Sequence, residues 1–208
     1  MITIKRMVTY EGSYTWTELK RLANEKKLSS ALKSGDTIDI TLKNGELVTL
    51  VVGKDLTGSI FFITKDCLRD KHRMNPTPSI KGGWERCEMR RYLNEDVFTL
   101  LPDDLQEVIK PTPIMQIVNG NRVEVQDKLF CLSTTQVFGP DVWTTNGPED
   151  SRIDIFEEKA CLVKHSGGWW LRSIYGNSNG AFYGIVSDAA YNYSIANASR
   201  GVAFGFTI

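Results

Sequence analysis

Two histidines, His72 and His165, and four cysteines, Cys67, Cys87, Cys131 and Cys161, are the side chains of this 208-residue chain best suited to nucleophilic or metal chemistry. The histidines stand in no HxxxH or HExxH spacing, so a histidine-rich metal site is not expected. The cysteines are widely spaced and no pair forms a CxxC, which argues against a zinc knuckle or a redox dithiol. Cys161 lies four residues before His165, a spacing that shares one helical face. A thiolate nucleophile also needs an orienting third group, and none suggests itself. Calcium is equally unsupported. Asp188 is the lone carboxylate from Ser173 to Ser199, with Asp150, Asp154 and Glu157 outside that region, and Ca²⁺ takes several oxygen ligands. The expectation is therefore no metal, no cofactor, no catalytic residue and no enzyme.

What remains is the chemistry of contact. From Ser173 to Ser199 there is no Lys, Arg or Glu, and four of the seven tyrosines fall there: Tyr175, Tyr183, Tyr191 and Tyr193. They are mixed with Asn, Ser, Gly and Ala, the composition of a paratope, in which Tyr supplies contact area and Ser and Asn supply adaptable hydrogen bonds. An ordinary solvated surface carries Lys and Glu, whereas interface cores lose them and gain Tyr. The candidate ligand-binding residues are Tyr175, Asn177, Asn179, Tyr183, Asp188, Tyr191, Asn192, Tyr193, Ser194 and Asn197. Trp169 and Trp170 are read as core, one packed inward and one beneath the loops, because strand neighbours point to opposite faces. Arg172 is read as a structural hub whose planar fork pins loop carbonyls.

Several elements must hold that surface. Thr15-Trp16-Thr17-Glu18 fits a capping box, opening a helix expected to run to about Leu32. Residues 37–63 read as a β-meander, with Asn44-Gly45 as a tight hairpin turn. Trp84 to Asn94 reads as a helix, and Pro102 to Ile109 as a second short one. Ile114–Val118 and Arg122–Val125 form a hairpin. Asp127 to Ser133 is a buried strand leading to a helical turn at Thr134–Phe138. Residues 139–150 are loop, and Ile153 to Lys164 fits helix or irregular structure. Trp169–Ser173, Ala181–Ser187 and Gly201–Ile208 are strands, with Asp188–Asn197 as loop. The reading is an α+β chain with two or more helices on antiparallel sheets: an N-terminal strand and helix over 1–34, then one domain over 35–208 whose loops at 173–200 bind ligand.

Charges balance, 25 basic against 25 acidic, which argues against a nucleic-acid binder. No apolar run approaches the ~18 residues of a membrane span, and the N-terminus lacks a signal-peptide core, so a soluble chain without membrane insertion is expected.

Four blocks now carry a resemblance: Trp84-x-x-Cys87-x-x-Arg90-x-Tyr92-Leu93-Asn94, Asp127-Lys128-Leu129-Phe130-Cys131-Leu132-Ser133, Gly168-Trp169-Trp170-Leu171-Arg172-Ser173, and Gly201-Val202-x-Phe204-Gly205-Phe206. Their order resembles a bacterial and phage family with a "WWLRS…GVRPAF" signature and a C-type-lectin-like fold, within a superfamily that includes formylglycine-generating enzymes and the variable proteins of diversity-generating retroelements. Ala203-Phe204 stands where that signature has Arg-Pro. Formylglycine chemistry would need a C-terminal cysteine pair, and no cysteine follows Cys161, so it is not carried over. In retroelement variable proteins, adenine-directed mutagenesis rewrites codons near the C-terminus. Tyr175, Asn177, Asn179, Tyr183, Asp188, Tyr191, Asn192, Tyr193, Ser194, Ile195 and Asn197 look like its products.

The resemblance implies a ligand-binding, receptor- or surface-recognition protein. Its expected partner is a protein or glycan on a cell or particle surface, with a homo-oligomer left open and a virion or a bacterial surface as the setting. The competing reading is a structural or assembly domain of a phage or prophage particle. A degenerate enzyme is the third.

Overall fold

The computed structural model describes residues 2–5, 12–118, 120–140, 151–157, 168–176, 178–186 and 190–208. Its largest element is an antiparallel sheet of six strands in the order β11-β5-β4-β3-β1-β2. These are β1 (Ile2–Lys5), β2 (Gly12–Tyr14), β3 (Thr37–Thr41), β4 (Leu47–Lys54), β5 (Ile60–Thr64) and β11 (Gly205–Phe206). The meander forms as expected. Gly45 takes φ 83° in the β3–β4 turn, and the Asn44 side chain accepts the Glu46 amide. Asp55 Oδ1 accepts the amides of Thr57 and Ser59 and so closes the β4–β5 turn. Phe206 on β11 lies opposite Phe62 on β5, rings stacked at 5.1 Å. Trp16 meets both edge-on. The first 34 residues thus contribute a strand pair and a buried Trp to the same sheet and core.

Helix α1 (Trp16–Asn24) opens with the expected capping box, Thr15 and Glu18 each accepting the other's amide. It stops well short of Leu32. The Lys27 amide reaches back to Leu22 O (2.8 Å) and the Lys26 amide to Ala23 O, with Lys26 in the left-handed region at φ 57°. This six-to-one closure ends the helix. The redirected chain buries Leu28, Ala31 and Leu32, the first two on α2 (Leu28–Ala31).

The helix expected over Trp84–Asn94 is also reshaped. Residues 81–86 are turns, α3 spans Glu88–Arg91, and a π-helical segment, Tyr92–Val97, leads into α4 (Phe98–Leu100). The second short helix is α5 (Asp103–Gln106), inside the expected 102–109. Hairpin β6–β7 (Thr112–Val118, Asn121–Asp127) is longer than expected and stands as its own two-stranded sheet. The 127–133 run is buried, but it is not a strand beyond β7. Only Phe130 bridges, to Gly205, because neighbouring backbone groups bond to side chains instead. Helix α6 (Thr134–Phe138) follows, opened by a second capping box between Ser133 and Gln136. Residues 154–156 form a single 3₁₀ turn. Of the remaining loop and helix expectations, 141–150 and 158–167 lie outside the described residues.

The third sheet has the order β10-β9-β8: β8 (Trp169–Ile174), β9 (Ala181–Ile185) and β10 (Tyr191–Ile195). β10 corrects the loop expected over 188–197. Tyr-Asn-Tyr-Ser-Ile alternates with period two and pairs with β9 over all five residues. The last expected strand, Gly201–Ile208, is true strand only at Gly205–Phe206, with single bridges at Gly201 and Thr207. The architecture is α+β with antiparallel sheets and few, short helices. No helix among the described residues is long and apolar enough to cross a membrane.

Candidate functional site

Three of the four sequence blocks meet in one buried hydrogen-bond network, and the fourth joins it through backbone bonds of Gly205 with Phe130 and of Gly201 O with Trp170 N–H. Asp127, 2% exposed, accepts Trp84 Nε1 on one oxygen and Arg90 Nε on the other, both at 2.7 Å. The Asn94 side chain donates to the carbonyls of Arg90 and Leu129 and accepts the amides of Lys128 and Leu129. All four of its hydrogen-bonding sites are used. Asn94 sits within the π segment, the usual consequence of drawing a helical residue out of its i→i−4 ladder toward a tertiary partner.

On β8, Arg172 is 1% exposed and donates from one guanidinium nitrogen to Cys131 O (2.9 Å) and Gln136 Oε1 (2.6 Å). Its own amide bonds Leu132 O, and its carbonyl accepts Gln116 Nε2. Ser173 Oγ takes the amide and hydroxyl of Thr134. Trp169 and Trp170 are both fully buried, and Trp170 Nε1 donates to His72 O at 2.8 Å. Gly184 on β9 is required here, because a Cβ would stand 2.7 Å from Trp169 O.

Against this frame lies the tyrosine cluster. Tyr183 and Tyr193 are directly opposed across β9 and β10, a pair that does not exchange backbone bonds and so brings side chains close. Tyr175, just past β8, stacks on Tyr193 with centroids 4.0 Å apart and planes at 1°. It also meets Tyr183 edge-on at 5.5 Å. Tyr191 meets Tyr183 at 6.0 Å, and Phe138 at the end of α6 at 5.4 Å. Tyr183 is buried and Tyr175 half-buried, while Tyr191 and Tyr193 are 53% and 52% exposed. Burial pushes the Tyr183 phenol above its ordinary value, with the Tyr175 and Tyr191 phenols adding to it. It therefore stays a protonated donor at neutral pH.

The other predicted contacts spread around this cluster. Asn192 and Ser194 alternate to the opposite side of β10 from the tyrosines. Asn179 and Asn197 are exposed, one step past the ladder, where Ala196 N–H bonds Gly180 O. Asn177 and Asp188 lie outside the described residues. Two members were not among the predicted contacts, although Ile195 is among the positions that look like retroelement products. Ile195, 55% exposed, continues the Tyr191–Tyr193 row, and the alternation of residues 191–195 is the signal that places it there. Phe138 comes from a distant segment, and nothing local in the sequence marks it.

Two of the described cysteines lie in the core. Burial pushes the Cys87 thiol up to about 12 and the Cys131 thiol well above its ordinary value, so both are held as thiols. The His72 ring stacks on Tyr92 at 4.0 Å, and its Nδ1 lies 2.8 Å from Arg73 O. Cys161 and His165 are outside the described residues. Among the described residues no group of three or more His, Cys, Asp or Glu is placed to hold a metal ion. A cavity of about 670 Å³ opens between α1–α2, the β4–β5 turn and the start of β6, and none of the clustered tyrosines lines it.

The fold and surface together define an α+β protein with a hydrogen-bonded frame and a tyrosine-rich sheet edge. Residues 57–208 match the model of a family described as a domain of unknown function, DUF6273, and the chain belongs to that family. The match takes in β5 and β11, the whole buried network and the tyrosine cluster. No curated protein and no solved structure matches the chain.

Proposed function

We propose that this is a ligand-binding protein whose tyrosine cluster recognises a protein or glycan surface. One observation carries the reading: tyrosines scattered over residues 175–193 converge into one contiguous aromatic group, in a stretch with no Lys, Arg or Glu. Aromatic area with phenol donors and no charge is the composition of an interface core. The scaffold is proposed to be C-type-lectin-like. The buried network supports that reading, because it gives the blocks that carry the resemblance a shared structural task. The surface is proposed to be diversified by a retroelement. Support for this comes from β10, four of whose five residues are exposed. A locus with a reverse transcriptase and a near-copy of this segment differing only at adenines bears this out, and a locus with neither overturns it.

The binding reading is tested with labelled protein on a glycan array and on intact bacterial cells. Signal that disappears in Tyr191→Ser/Tyr193→Ser and persists in Leu47→Ser/Leu56→Ser supports it. The latter pair removes exposed apolar side chains on β4 and the β4–β5 turn, in a different sheet from the cluster. Equal loss in both variants, or in neither, contradicts it. An assembly domain of a phage particle is the second reading, and the observation favouring it is the outer edge of β10, with which no strand pairs among the described residues.

A further inference from the structure

The outer edge of β10 has the geometry to pair with a copy of itself. Two bonds fix the ladder phase: Val186 N–H to Ala190 O (3.0 Å) and Ala196 N–H to Gly180 O (2.8 Å). With the register Tyr191↔Ile185 through Ile195↔Ala181, the backbone groups of Asn192 and Ser194 face β9. Those of Tyr191, Tyr193 and Ile195 therefore face outward. Among the described residues no strand pairs with β10 on that side. Two outward groups have local partners: Tyr193 N–H donates to Asn192 Oδ1 (2.7 Å), and Ile195 O accepts Ala198 N–H (2.9 Å). The first is a neighbouring side chain that a strand can displace. The second leaves the carbonyl a free lone pair.

Natural edges are guarded by Lys, Pro, inward charges or bulges. The two-stranded β6–β7 sheet follows that rule, with Pro113 on one strand and Arg122 and Glu124 on the other. β10 does not. Tyr-Asn-Tyr-Ser-Ile has no charge and no Pro, and its ladder to β9 is regular over all five residues.

The outward set is also symmetric about Tyr193. An antiparallel copy sets Tyr193 against its own counterpart and Tyr191 against Ile195, each pair exchanging both backbone bonds. Self-pairing across a twofold brings identical side chains together, which a charged strand resists and this one does not. A neutral strand also offers nothing for a charged foreign strand to select. We propose that the chain dimerises through antiparallel pairing of β10 with β10 of a second copy, about a twofold axis at Tyr193. The two tyrosine rows then lie side by side on one continuous sheet, a bivalent surface for the binding proposed above.

The test needs no ligand, so its failure is separate from that of the binding reading. Sedimentation velocity of the full chain from about 1 μM to about 1 mM covers the range of weak to moderate dimers. A concentration-dependent monomer–dimer equilibrium is expected. Ile195→Pro deletes an outward N–H without touching the β9 ladder and should weaken the dimer at least ~10-fold, whereas Ile195→Thr should not. Tyr193→Lys and Tyr193→Glu should each be monomeric alone and dimerise when mixed, a recovery that misfolding could not produce. A wild type monomeric throughout overturns the proposal. So does a dimer indifferent to Ile195→Pro in a folded variant, or a Lys/Glu mixture that stays monomeric.

Discussion

Strands β8 and β10 flank β9 in one sheet. All six residues of β8 are buried, and its Trp170, Arg172 and Ser173 side chains are each held by named hydrogen bonds. Four of the five residues of β10 are exposed, and the backbone groups of three of the five face away from β9. The two strands solve opposite problems. Each polar atom on β8 is costly if its partner is lost, since a buried unsatisfied group carries its full desolvation penalty. On β10 that penalty is largely absent, because water can reach the groups a substitution frees. Folding therefore constrains identity tightly on β8 and far less on β10.

The sharpest way to break this contrast is Trp170→Ala. It leaves a large cavity beneath the sheet and should cost on the order of 3–5 kcal/mol in a denaturant melt. An unchanged melt would remove Trp170 from the frame. Next is Asp127→Ala, which strands Trp84 Nε1 and Arg90 Nε without their acceptor, while the Arg90 side chain keeps only its bond to Glu85 O. A loss of about 3 kcal/mol is expected, toward the low end for breaking a buried pair because Arg90 is partly exposed. A third test uses pH. Burial raises the Asp127 carboxyl above its ordinary value, with the bonds from Trp84 and Arg90 opposing it only in part. The folded state then holds the proton more tightly than the unfolded one. That contribution is fully present below the unfolded value of about 3.9 and is lost as pH rises through the raised folded value. The stability of the wild type relative to Asp127→Asn should therefore fall over that interval in urea melts, and a rise would reverse the assignment. The smallest effect is expected on the face. Tyr193→Ser loses the stack with Tyr175, and about 1 kcal/mol covers it. This is slightly more than a bare exposed site would lose, and the same melts would resolve it.

The sequence made the frame more legible than the face. Strong local chemistry announced its own structure: the Thr15–Glu18 box, the Asn44-Gly45 turn, the alternation of β3. Trp169, Trp170 and Arg172 read as buried structural residues because large or planar side chains in a strand have few other roles. What could not be read depended on partners distant in the chain. The end of α1 is set by a backbone closure at Lys26–Lys27 that no Gly or Asn advertises. The π segment exists because Asn94 answers to Lys128 and Leu129, and the pairing of β11 with β5 joins far ends of the chain. The tyrosines were legible by composition alone. Their convergence was not, since it needs the β9–β10 register, and reading 188–197 as loop hid an alternation that was present in the sequence. Phe138 enters the cluster only through the placement of α6.

The separation of frame from face is tested most directly by two libraries sorted for protease resistance, one randomised at Tyr191, Tyr193 and Ile195 and one at Trp169, Trp170 and Arg172. Most members of the first should stay folded, since exposed substitutions usually stay within about 0.5 kcal/mol and even the Tyr193 stack is worth only about 1 kcal/mol. Almost none of the second should survive. Equal survival in the two libraries, or collapse of the first, would contradict the division of labour between β8 and β10.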